Sequence, residues 1–63
     1  MNYINFSEAM CVFIAECMVI ASKGLDKASA IMAMASMANL TFKKFLSTPE
    51  AVAEVKEVIL SFS

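Results

Sequence analysis

The sequence contains no histidine, no arginine and no tryptophan, and it has one glycine, one proline and two cysteines. Without histidine, the residue that most often moves protons near neutral pH is missing. A zinc site built from Cys and His ligands also cannot be assembled from one chain. Because Cys11 and Cys17 are six residues apart in one expected helix, they lie too far apart to form a disulfide with each other. The sequence therefore predicts no enzyme, no metal and no cofactor.

Positive and negative charges are nearly balanced in the sequence. Five lysines and six acidic residues give a net charge of −1, which provides no basic surface for nucleic acid. Two free thiols favour a reducing compartment. We therefore expect a cytoplasmic protein that does not bind nucleic acid.

Apolar residues make up 60% of the sequence, and charged residues only 17%. Soluble domains are usually about 45–50% apolar, and 63 residues form a single domain with only a small core. This domain cannot bury all of its apolar side chains. We expect a partner, a second copy of the chain, or a membrane to cover the remainder.

A membrane is the weaker of these alternatives. The uncharged stretch between Lys27 and Lys43 is fifteen residues long, and Glu16 interrupts the stretch between Glu8 and Lys23. A membrane-spanning helix needs about 20 predominantly apolar residues. The first eight residues also lack the positive charge of a signal peptide. Membrane insertion is therefore not expected.

Capping residues divide the chain into three helices, which makes it an all-α domain. Helix 1 is expected at about residues 6–23, with Asn5 or Ser7 at its start and Gly24 after its end. Helix 2 should span about 26–46 from Asp26. Helix 3 should span about 49–62, where Ser47-Thr48-Pro49-Glu50 combines a Thr cap, a proline at the first helical position and a possible capping box.

Helix 2 has two faces with different chemistry. Its broad apolar face should pack in the core and comprises Ile31, Met34, Ala35, Ala38, Phe42 and Phe45. Its second face is polar but uncharged until its end and comprises Ser29, Met32, Ser36, Asn39 and Lys43. Exposed helix faces normally carry lysine and glutamate, so a surface of small and uncharged side chains suits contact with another helix.

Helices 1 and 2 are therefore expected to form an oligomer or partner interface. Helix 1 is apolar over more than half of its circumference and needs neighbours on more than one side. The predicted interface residues are Cys11, Ile14, Met18, Ser29, Met32, Ser36, Met37 and Asn39. Core packing is the default for methionine, and Met18 also fits it, whereas Met32 and Met37 border the second face of helix 2 and suit an adaptable binding surface.

Glu16 is the only carboxylate in the middle of an apolar helix. It could be solvated beside Glu8 and Lys23, it could cross an oligomer interface to meet a lysine, or burial could raise its pKa and suit it to acid or base chemistry. Solvation is the simplest of the three interpretations, and the sequence leaves the others open.

Lys43 and Lys44 lie between Phe42 and Phe45 at the expected end of helix 2. Lysines in a last turn complement the helix dipole. They could instead hold an anionic or nucleotide-like ligand against neighbouring aromatic or methionine side chains. No glycine-rich loop accompanies them.

The sequence thus predicts a non-catalytic protein-binding module that acts as a homodimer or higher oligomer. An inhibitor, adaptor or regulator of another macromolecule fits this description, by analogy with the small proteins of phages and mobile elements. The alternative is a protein that sequesters a small anionic ligand between subunits near Lys43 and Lys44.

Overall fold

The structure is a computed structural model, which describes residues 5–63. Three α-helices follow one another in this range: α1 at Phe6–Ala21, α2 at Lys27–Thr41 and α3 at Pro49–Phe62. None of the residues from 5 onward forms a strand. The predicted all-α class and the three helices are therefore confirmed, although two of the helices are shorter than expected.

Helix α1 begins as predicted and ends two residues early. The Asn5 side chain accepts a hydrogen bond from the Glu8 N–H at 2.9 Å, as an N-cap should. At the other end, the Ser22 hydroxyl donates to the Val19 carbonyl at 2.7 Å, and the Lys23 N–H bonds to the Ile20 carbonyl. These bonds satisfy the last carbonyls in a tight turn. Gly24 follows with φ of 70°, a conformation that glycine adopts without strain.

Helix α2 begins at its predicted cap but ends at Thr41, so the predicted end at residue 46 is wrong. Asp26 accepts bonds from both the N–H and the hydroxyl of Ser29, at 3.1 and 2.7 Å. After Thr41 the chain forms turns, in which the Phe45 N–H bonds to the Phe42 carbonyl at 2.7 Å. Phe42 and Phe45 pack against the Phe6 ring from these turns, and Thr48, which precedes a proline, is extended. The chain therefore leaves the helix before this point.

Helix α3 starts with Pro49 at its first helical position and Thr48 as N-cap residue, both as predicted. The capping hydrogen bond itself does not form. The Thr48 hydroxyl instead donates to the Phe45 carbonyl at 2.7 Å, which ties the start of α3 to the preceding turn.

The three helices pack against one another in a bundle with a small core. Four large side chains are fully buried: Phe13, Phe42, Met34 and Cys17. The Phe42 ring lies 5.1 Å from the Phe13 ring and 5.3 Å from the Phe6 ring, and Phe45 lies 5.7 Å from Phe6, measured between centroids. Edge-on and tilted contacts at these distances are favourable for aromatic rings. The turn after α2 thus supplies the centre of the core.

The predicted core face of α2 is confirmed for Met34, Ala38 and Phe42, which are buried. Ala35 was expected there but is exposed, because it lies toward the edge of the face. On α3, Ala51 and Val55 are buried, whereas Val52 is 41% exposed.

Candidate protein-binding surface

The side of α1 that faces away from the core is apolar. We call it the α1 outer face and define it by Cys11, Ile14, Ala15, Met18 and Val19, all of which are exposed. Their spacing of three and four residues places them on one side of the helix. Met18 is 59% and Val19 58% exposed. The predicted positions Cys11, Ile14 and Met18 thus lie outside the core, and the interpretation of Met18 as a core residue is wrong.

Glu16 does not contribute its charge to the α1 outer face. It is half-buried, and its carboxylate accepts a hydrogen bond of 3.0 Å from the hydroxyl of the buried Thr41. The carboxylate therefore lies on the side of α1 that packs against α2. The interpretation of Glu16 as a fully solvated residue is therefore wrong. Since Glu16 is the only charged residue between Glu8 and Lys23, the outer face between them is uncharged.

The outward side of α2 is uncharged as well. We call it the α2 outer face and define it by Ser29, Met32, Ser36, Asn39 and Leu40, which are all exposed. Met32 is 70% and Leu40 71% exposed. Ser29 belongs to this face only in part, because its hydroxyl donates to the Asp26 cap.

Two predictions about the α2 outer face need correction. Met37 is half-buried and packs against the core, so it is not one of the outward side chains. Leu40 was missed by the sequence analysis, although it lies one turn beyond Ser36 on the same side.

The two cysteines have different environments. Cys11 is exposed on the α1 outer face, whereas Cys17 is buried in the core and forms no disulfide. Burial, and to a smaller extent the negative charge of Glu16, raise the pKa of the Cys17 thiol. A raised pKa disfavours the thiolate that nucleophilic chemistry requires. Cys17 is thus a packing residue.

Lys43 and Lys44 are exposed and lie in the turn after α2, not in its last turn. Their predicted role in complementing the α2 dipole from within the helix is therefore wrong. The Lys44 ammonium lies 5.9 Å from the centroid of the Phe45 ring, within the range of a cation–π contact.

Two open clefts flank α3. One, of about 630 Å³, lies between α1 and α3 and is lined by Phe6, Ser7, Met10, Glu54, Glu57, Val58 and Ser61. The other, of about 650 Å³, is lined by Leu46, Ser47, Pro49, Val52, Ala53, Lys56, Glu57 and Leu60. Neither Lys43 nor Lys44 borders these clefts. The residues predicted for an anion site are thus exposed and lie outside both clefts.

Residues 5–63 contain no helix long and apolar enough to cross a membrane. Within the same range, no three Cys, Asp or Glu side chains come close enough together to hold a metal ion.

No protein-family model matches the sequence, and comparisons with curated proteins and with solved structures gave no match.

Proposed function

We propose that this chain is a non-catalytic protein-binding module that associates with itself and with another protein through the α1 and α2 outer faces. The observation that carries the proposal is the lack of charge on these faces. Glu16, which could have made the α1 outer face polar, is turned toward Thr41. The side chains that remain outward are apolar on α1 and a mixture of apolar and uncharged polar on α2, and large exposed apolar patches on small proteins mark interaction sites.

The distribution of exposed apolar side chains supports the same conclusion. Eight large hydrophobic residues are exposed in the described chain, and five of them lie on α1 and α2: Ile14, Met18, Val19, Met32 and Leu40. By contrast, the outward side of α3 carries Glu50, Glu54 and Glu57. A charged face of this kind suits contact with water. α3 also carries two exposed large hydrophobic residues, Val52 and Leu60, as many as α2, so α3 differs from α2 in its charge and not in its exposed apolar side chains.

A regulatory role is consistent with a protein that acts only by binding. The α1 and α2 outer faces carry no carboxylate and no lysine, and a module that acts by binding alone can block, bridge or recruit. We therefore propose that the chain acts in the cytoplasm as an inhibitor, an adaptor or a regulator of another macromolecule. Methionine suits such a surface because its flexible side chain adapts to different partners.

The proposal is tested by placing a charge on the α1 outer face. Met18→Glu should shift the chain toward monomer in light scattering measured from micromolar to millimolar concentration, because a carboxylate would be buried at the interface. The matched control is Leu60→Glu on α3, since Leu60 is 60% exposed and Met18 59%. The control should associate like the unaltered chain. A mass of 6.8 kDa for the unaltered chain at every concentration would overturn the proposal.

A further inference from the structure

The methionines of the described chain lie in three different environments. Met34 is fully buried in the core, and Met10 and Met37 are half-buried and pack against the core. Met18 and Met32 are 59% and 70% exposed, the first on the α1 outer face and the second on the α2 outer face. Each of the two faces that we propose as binding surfaces therefore carries one exposed methionine.

Methionine becomes polar when a hydroperoxide oxidises it. The lone pair of the thioether sulfur forms a bond to one peroxide oxygen, and the O–O bond breaks. The other oxygen takes up the proton and leaves as water or as an alcohol, so the sulfur loses two electrons and the peroxide gains them. The product is methionine sulfoxide, which is polar and which dedicated reductases convert back to methionine. An exposed methionine in an apolar surface is thus a reversible modification site.

We propose that Met18 and Met32 are oxidation sites for hydroperoxides, and that their oxidation weakens association through the α1 and α2 outer faces. This inference rests on the proposed function, because it presupposes that these faces associate. It adds a chemical reaction that regulates the association.

The surroundings of Met18 provide no good donor for a sulfoxide oxygen. Ile14, one turn before Met18, and Val19, next to it, are exposed and apolar. Ser22 lies one turn after Met18, but its hydroxyl already donates to the Val19 carbonyl at 2.7 Å. A partner that covers the α1 outer face would therefore bury the sulfoxide oxygen without a hydrogen bond from this chain, which is unfavourable.

Met32 has more polar surroundings than Met18. Ser29 precedes it by three residues and Ser36 follows it by four, so both lie on its side of α2. The Ser29 hydroxyl donates to Asp26, whereas Ser36 places a second hydroxyl, a hydrogen-bond donor, one turn from Met32. Oxidation of Met32 should therefore weaken association less than oxidation of Met18.

The expected effects can be given as ratios. Burial of an acceptor without a donor should raise the dissociation constant about tenfold or more when Met18 is oxidised. Association should in turn protect Met18, so its oxidation should slow as the protein concentration rises. Met34 should be oxidised at least about tenfold more slowly than Met18 in dilute solution, because a peroxide reaches it only when the core opens.

Peroxide treatment followed by light scattering and peptide mapping tests the proposal. The chain is treated with hydrogen peroxide and then with a thiol reductant, which returns a reversibly oxidised Cys11 to the thiol. Mass spectrometry should show oxidation of Met18 and Met32 before Met34, and light scattering should show loss of association. Treatment with methionine sulfoxide reductases for both epimers should restore the association.

The matched control is the double variant Met18→Leu with Met32→Leu. Leucine is apolar and close to methionine in volume, and the variant keeps both cysteines and the other methionines. It should associate like the unaltered chain and stay associated after peroxide treatment. Of the two single variants, Met18→Leu should retain more association after treatment than Met32→Leu.

The outcomes separate this inference from the proposed function. Loss of association in the unaltered chain that the control does not show supports the inference. Dissociation of the control by peroxide, oxidation of Met34 as fast as Met18, or unchanged association of the oxidised chain would each overturn the inference and leave the proposed function standing. An untreated chain that is monomeric at every concentration would overturn both.

Discussion

The hydroxyl of Thr41 donates a hydrogen bond of 3.0 Å to the carboxylate of Glu16, and these two residues lie 25 positions apart in the sequence. Thr41 is the last residue of α2, and Glu16 lies in the middle of α1. This bond joins the two helices by a polar contact at the border of an apolar core. It also removes the one charge that would otherwise interrupt the α1 outer face.

Replacing Thr41 by valine should destabilise the protein by about 1 kcal/mol, because the half-buried Glu16 carboxylate loses its donor while the volume at residue 41 is kept. The free energy of unfolding in urea measures the effect. Glu16→Gln keeps an acceptor for the Thr41 hydroxyl and serves as the control, which should change stability less. Equal stability of Thr41→Val and the unaltered chain would show that the bond contributes nothing.

Phe42 and Leu40 are only two residues apart but differ in burial, so their alanine variants can be compared directly. Phe42 is fully buried between Phe6 and Phe13, whereas Leu40 is 71% exposed. Phe42→Ala should lower the stability by about 3–5 kcal/mol, which is enough to unfold a domain with so small a core. Leu40→Ala should stay within about 0.5 kcal/mol of the unaltered chain at concentrations where it is monomeric. Circular dichroism during thermal unfolding measures both variants.

The Asp26 cap predicts a loss of stability in acid. The hydrogen bond from the Ser29 hydroxyl, and then that from its N–H, lower the pKa of Asp26 below its usual 3.8. A group with a lowered pKa in the folded state stabilises the fold above its ordinary pKa, and this stabilisation is lost as the pH falls through the folded-state value. The melting temperature should therefore fall below about pH 4.

The variant Asp26→Asn isolates this contribution. Asparagine caps a helix about as well as aspartate but does not titrate, so the variant should keep much of the stability at neutral pH and show a shallower fall in acid. An identical acid profile for Asp26→Asn and the unaltered chain would mean that other carboxyl groups cause the whole fall.

The two cysteines should react at different rates with a thiol reagent. In dilute solution at pH 8, Cys11 should be modified rapidly because it is exposed, whereas Cys17 should react only after unfolding because it is buried and the pKa of its thiol is raised. Mass spectrometry of the labelled chain gives the site and the rate. Labelling of both cysteines at one rate in the folded protein would contradict the core position of Cys17.

Lys43 and Lys44 test the alternative function. In the double variant Lys43→Ala with Lys44→Ala, we expect unchanged self-association and a loss of stability of no more than about 1 kcal/mol, because both side chains are exposed outside the helices and only the contact of Lys44 with the Phe45 ring is lost. Titration with inorganic phosphate and with a nucleotide, followed by calorimetry, should give no heat of binding for either protein. Binding to the unaltered chain that the double variant lacks would favour the sequestering protein instead.

The sequence was sufficient to predict the helices because their starting residues are chemically distinctive. Asn5, Asp26 and Pro49 each define a helix start within one residue. The end of α2 could not be predicted, because Thr41 through Leu46 continue the apolar period of a helix and only the tertiary contacts of Phe42 and Phe45 with Phe6 show where the chain turns.

The outward-facing positions were predicted well on α1 and less well on α2. Cys11, Ile14 and Met18 face outward as expected. On α2, alanine and methionine occur around the whole helix, so the pattern alone could not separate the half-buried Met37 from the exposed Leu40. The orientation of the Glu16 side chain could not be predicted from the sequence either, because its hydrogen-bond partner Thr41 lies in another helix.

Because Phe42 lies in the turn between α2 and α3, the two interhelical connections should not tolerate inserted residues equally. The segment between α1 and α2 is exposed, and nothing lies within 4 Å of a side chain added at Gly24. The segment between α2 and α3 carries the central ring of the core, so an inserted residue there would displace Phe42 or Phe45 from Phe6. A tag or a fluorescent probe is therefore better inserted near Gly24, away from both the core and the connection that completes it.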